Sequence, residues 1–88
     1  MNDDIIDLAK AHIDKVLKDY VWPEASKFFH VGLHVSPQNS PRVLEIEDAL
    51  YQKVQARYPG LYLKRAIHVS HPRTYDIEIH CDRTKERR

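Results

Sequence analysis

Histidine is the side chain that gains and loses a proton between pH 5 and 8, so its placement is the first chemical signal in this sequence. The chain has 6 histidines. His30, His34, His68 and His80 all fall in segments where apolar and polar residues alternate, and all take the polar parity. Lys64, Asp76 and Glu78 share that parity. The expected result is a sheet face carrying a binding surface of His30, His34, Lys64, His68, Glu78 and His80. A solvated face of cross-strand charge pairs, each worth roughly a few tenths of a kcal/mol, has the same pattern.

Two more specific chemistries fit these residues. The first is a metal site. His30 and His34 are four residues apart on one strand, which separates them by roughly 13 Å and prevents them from sharing an ion. A site would draw instead on neighbouring strands, with His68, Glu78 and His80 as an N/O donor set that zinc accepts. No spacing specifies this site, and no cofactor is expected. The second chemistry rests on two copies of His-x-Ser, His34-Val35-Ser36 and His68-Val69-Ser70. On a strand, the histidine and serine of each copy share a face. Such a pair on neighbouring strands resembles the signature of the 2H phosphoesterases. The resemblance covers six residues and implies histidines acting as general acid and base on a cyclic or RNA phosphate, with His34, Ser36, His68 and Ser70 as the site. Imidazole near its natural pKa serves either role.

Other residue types point to macromolecules. Lys64, Arg65, Arg73, Arg83, Lys85, Arg87 and Arg88 could follow a nucleic-acid backbone, with Tyr62 stacking a base. However, 14 basic residues stand against 13 acidic ones, a formal net charge of +1, so the footprint is patchy. No paired aromatic RNA-binding motif and no glycine-rich loop is present. Edge strands and the large side chains Trp22, Phe28 and Tyr62 suit a protein partner instead. Trp22 is expected to close the core where the first helix meets the first strand. Cys81 takes inward parity, as a small core residue does. Ser36, Ser40 and Ser70 are expected in turns or caps.

These side chains need a scaffold, and hydrophobic spacing predicts one. Asp3 and Asp4 precede a helical repeat of Ile5, Ile6, Ala9, Ile13, Val16, Leu17 and Tyr20, so a helix is expected from Asp4 to Tyr20. Pro23 ends it. Lys27 to Val35 alternates as a strand. After the turn cluster 36–41, Ser40 and Pro41 suit the start of a second helix. Its stripe is Val43, Ile46, Leu50, Val54 and Tyr58, widened by Leu44 and Ala49, with Glu47 and Asp48 among its solvated residues. Leu61 to Val69 is the second strand, its inner face holding Leu61, Leu63, Ile67 and Val69, with Arg65 intruding. Thr74 to Asp82 is the third. A basic tail at residues 83–88 is expected to fray.

The order α-β-α-β-β predicts a single α+β domain over residues 1–88, with two helices on one face of a three-stranded mixed sheet in a split βαβ-like arrangement. Either the third or the second strand can be central. A length of 88 residues suits one domain, and 42% hydrophobic with 31% charged residues is a globular balance. Such a domain buries only about two-thirds of its unfolded surface, and a homodimer would widen its stability margin. No apolar run approaches the roughly 18 residues of a membrane span, and one cysteine cannot form an internal disulfide. The acidic start does not read as a signal peptide, so a cytoplasmic location is expected. The function expected is a binding or regulatory module with a protein partner and no enzymatic activity; nucleic-acid binding and histidine-dependent phosphoester chemistry are the alternatives.

Overall fold

The computed structural model describes residues 4–71 and 73–86. Helix α1 spans Ile5–Asp19, strand β1 Phe28–Val35, helix α2 Val43–Arg57, strand β2 Leu61–His71 and strand β3 Thr74–Glu86, with a 3-10 turn at Pro37–Arg42. Among the described residues no helix is long and apolar enough to cross a membrane.

Asp4 starts α1 as anticipated. Its Oδ1 accepts a hydrogen bond from the Ile6 backbone N–H at 2.8 Å, satisfying a donor that the first helical turn leaves open. Ala9, Ile13 and Leu17 recur every fourth residue and are buried together. The chain then turns around Trp22, which is 8% exposed and belongs to the core. Its indole N–H donates to the Ser26 carbonyl at 3.0 Å, and its ring packs on Phe29 and Tyr58.

The second helix begins later than expected. Ser40 and Pro41 lie inside the 3-10 turn, where the Ser40 hydroxyl donates to the Pro37 carbonyl at 3.0 Å instead of capping α2. From Val43 the α2 stripe buries Ile46, Ala49, Leu50 and Val54. Leu44 does not widen it; that side chain is 70% exposed, beyond the reach of α1 and the sheet. Gly60, at φ 82°, closes the α2–β2 turn in a conformation that favours glycine.

The strands assemble in the order β1-β3-β2, so β3 is central. Both ladders are antiparallel, and β1 and β2 run parallel to each other on either side of β3. The sheet expected to be mixed therefore contains no parallel ladder. The βαβ crossover leaves a gap one strand wide, and the returning arm of the β2–β3 hairpin fills it. Val69 was expected inside but is 69% exposed on the edge strand β2, although Val35, in the same row on β1, is buried. Strand β3 runs on through Glu86, into residues expected to fray. Arg87 and Arg88 lie outside the described residues.

Apolar side chains from all three strands meet the two helices in one core, with Val54, Ile77 and Ile79 at 0% exposure. The two inward-facing arginines end as fasteners of this layer. Arg65 reaches α2 and forms a two-pronged ion pair with Glu47, its Nε lying 2.6 Å from Oε2, while its guanidinium covers the Tyr51 ring at 4.3 Å. Glu47, expected among solvated residues, is 5% exposed because this pair turns it inward. Arg83 lies 3.9 Å above the Trp22 ring and donates to the carbonyls of Trp22, Pro23 and Ser26. It fixes the α1–β1 connection.

Candidate binding face of the sheet

The register lays the open face out in four cross-strand rows. Reading β1, β3, β2, they are His34–Asp76–His68, Gly32–Glu78–Ala66, His30–His80–Lys64 and Phe28–Asp82–Tyr62. Every residue of the expected surface, His30, His34, Lys64, His68, Glu78 and His80, falls in this array. The central position of β3 brings them together, since it sets Glu78 and His80 between the histidines of the edge strands.

The first row is the most tightly bonded. His34 Nδ1 lies 2.9 Å from Asp76 Oδ1, and a carboxylate only accepts, so Nδ1 carries the proton. The Ser70 hydroxyl donates to the other oxygen of Asp76. These two bonds, Ser70 first and His34 second, hold the Asp76 carboxyl below its ordinary pKa. In the second row, Gly32 and Ala66 are small, so longer neighbours reach Glu78. His80 Nε2 donates to Glu78 Oε1 at 2.7 Å, and His68 Nε2 stands 3.6 Å from the same oxygen. The His80 bond leads in holding Glu78 below its usual range. His30 stacks on His80 with ring centroids 5.4 Å apart.

At the far row, Phe28 is 65% and Tyr62 39% exposed, one on each edge strand with Asp82 between them. Asp82 Oδ1 accepts from the Thr84 backbone N–H at 2.8 Å and from its hydroxyl, which orients the carboxylate. Phe28, Tyr62 and Asp82 line one open trough of about 560 Å³ with Lys64, His80 and Ala66.

The structure weighs the specific chemistries against this layout. His68, Glu78 and His80 do converge, yet among the described residues no group of three or more His, Cys, Asp or Glu side chains is arranged to hold a metal ion. His34 and His68 share a row, but the Asp76 carboxylate lies between them, where a phosphate would have to sit. The motif serines are also engaged: Ser70 on Asp76, and Ser36 accepting from Asn39 Nδ2 at 3.2 Å. The nucleic-acid set disperses. Tyr62 and Lys64 share the open face, whereas Arg65 and Arg83 are bound into the helix side and Arg73 occupies the exposed β2–β3 turn at φ 69°. Cys81 is buried, and desolvation pushes its thiol up to about 11, so it remains a neutral core group.

Asp76 and Asp82 were not in the surface expected from sequence, although both share the parity of Glu78. With Glu78 they form a column of carboxylates down the central strand, a signal the alternation of β3 already contained. No protein-family model matches the chain, and neither the curated proteins nor the solved structures compared with it provide a match.

Proposed function

We propose that this protein is a binding module for another protein and that its open sheet face takes a basic segment of the partner. The carboxylate column carries this reading. Across the four rows, Asp76, Glu78 and Asp82 oppose Lys64 alone, a formal charge of −2 with the histidines neutral. A phosphate backbone would meet net repulsion there, whereas lysine or arginine side chains would be attracted. Hydrogen bonds hold all three carboxylates, so little side-chain freedom is lost on binding. The long edge strands β1 and β2 bound the same face and offer backbone groups to an extended segment.

Fluorescence anisotropy at pH 7.5 tests this with three labelled probes: an arginine- and lysine-rich decapeptide, an acidic decapeptide and a ten-nucleotide oligouridylate. The basic peptide should bind, more weakly as salt rises, and Asp76→Asn with Glu78→Gln should weaken it. Tighter binding of the oligouridylate, or equal binding of both peptides, would overturn the proposal.

A further inference from the structure

We infer that the edge of β1 is a pairing surface for a second copy of this chain, so that two three-stranded sheets join into one continuous sheet. The two edges differ in kind. Strand β2 carries Lys64 and Arg65 near its middle, and its register against β3 is irregular at both ends, between Leu61 and Tyr62 and between Val69 and His71. Charges and irregularities of this sort keep an edge from recruiting further strands. Strand β1 has neither device. Phe28–Val35 contains no lysine, arginine, aspartate, glutamate or proline, and its register against β3 is unbroken from end to end. Among the described residues β3 is its only strand neighbour.

One hydrogen bond fixes which backbone groups of β1 face outward. The Arg83 N–H donates to the Lys27 carbonyl at 2.9 Å, in line with the β1–β3 register. Bonded pairs alternate along an antiparallel ladder. Phe29, Val31, Leu33 and Val35 therefore bond to β3, while Phe28, His30, Gly32 and His34 direct their N–H and C=O groups to the open edge. A two-fold axis at Val31 uses all four of them: Phe28 exchanges bonds with His34 of the second copy, and His30 with its Gly32. Each histidine then lies beside a phenylalanine or a glycine and meets no like charge. On the helix side, Phe29 meets Leu33 and Val31 meets its own counterpart. An apolar groove of about 150 Å³ lies next to Leu33, lined by Ile5, Leu8 and Ala9 among others, and Leu8 is 50% exposed. Apolar surface thus continues from the edge up onto α1, where a second copy would cover it. A preformed strand also loses less chain freedom on pairing than a flexible peptide does, and the two-fold axis lets one surface serve both partners. The two carboxylate columns would lie about 14 Å apart, three strand spacings, on the same side of the joined sheet. The pairing does not depend on the basic-segment reading and leaves that face open.

Sedimentation equilibrium of the full chain at pH 7.5, from about 10 µM to about 1 mM, should show the mass rising from 10.4 kDa towards twice that value. Amide hydrogen exchange on the same samples should slow with association at Phe28, His30, Gly32 and His34, and not at Leu63, Arg65 or Ile67 on the other edge. His30→Pro removes an outward N–H and none of the bonds to β3. It should weaken the dimer by about five- to a hundred-fold, the range for one lost bond on each copy. The β3 amide signals report whether this variant is folded; if it is not, the exchange pattern of the unaltered chain decides. A monomer mass at every concentration, a dimer whose β1 amides exchange as in the monomer, or a folded His30→Pro that associates as well as its parent would overturn the inference. So would protection of those amides only in the presence of the basic decapeptide, which would give the edge to the partner. A monomer that binds the basic peptide leaves the proposed function standing, and a dimer that binds none leaves the edge pairing standing.

Discussion

Replacing Arg65 with methionine should destabilise the protein severely without touching its ligand. The substitution keeps much of the apolar stem but removes the guanidinium that pairs with Glu47, a side chain only 7% exposed. Breaking a buried pair from one side costs about 3–5 kcal/mol, because the remaining charge stays buried without compensation. The Arg65 side chain is 39% exposed, so water entering behind it will solvate part of that carboxylate. We discount the loss accordingly to about 2–3 kcal/mol, including the stack on Tyr51. For a domain of this size, that lowers the melting temperature by roughly 10–20 °C. Urea denaturation and calorimetry measure it. Glu47→Met combined with Arg65→Met should recover most of the loss, since a buried pair replaced by apolar groups of similar volume is close to neutral. A single-variant cost below about 1 kcal/mol, or a double variant as unstable as the two singles added, would refute the reasoning. Binding of the basic peptide should survive in the folded fraction of Arg65→Met.

The core and the carboxylates give further expectations. Ile79→Ala, at 0% exposure in the central strand, should cost about 2–5 kcal/mol by denaturant midpoint. Asp76 and Glu78 have folded-state pKa values held below their ordinary ones, so both stabilise the fold above the ordinary carboxylate range and lose that contribution as pH falls through the lowered values. Asp76→Asn with Glu78→Gln should therefore flatten the acid limb of a stability–pH curve, and an unchanged limb would contradict the hydrogen bonds assigned to them. The Cys81 thiol, raised to about 11 and buried, should resist a thiol reagent at pH 8 in the native protein and react within the mixing time in urea.

The faces of this fold were legible in the sequence; their neighbours were not. Alternation in β1 and β3 is complete from Phe28 to Val35 and from Thr74 to Asp82, so the polar and apolar faces could be assigned residue by residue. Strand order leaves no mark on that pattern, because either order buries the same apolar parity. Periodicity also says which way a side chain points without saying where the opposing layer stops. That is why Leu44 and Val69 were placed inside and stand in solvent. Arg65 broke its pattern as a cation at an inward position, whereas Glu47 was read among the solvated residues of α2. Read together they form a pair, 18 residues apart in the chain and joined across α2 and β2. Arg83 follows Cys81 by two residues and continues the inward parity, the one hint that the strand runs past Asp82. The array of histidines was anticipated, but the carboxylate column took its meaning only when β3 proved central.

The strand that completes the sheet leaves a ribosome after the two strands it joins. Among the described residues neither β1 nor β2 has a hydrogen-bonded strand neighbour other than β3, and β3 begins only at Thr74. While residues up to 73 are being made, the helices can form, yet no ladder of the sheet exists. The earlier strands must wait as unpaired, largely apolar segments. Acquisition of the native sheet thus waits until β3 has been made and depends on contacts that β1 makes across forty or more residues of sequence, such as Val35 with Tyr75. Such non-local closure slows folding and ties it to a single cooperative event. A nascent chain halted before Thr74 would expose the two edge strands to one another and to other chains, the circumstance in which unpaired strands aggregate.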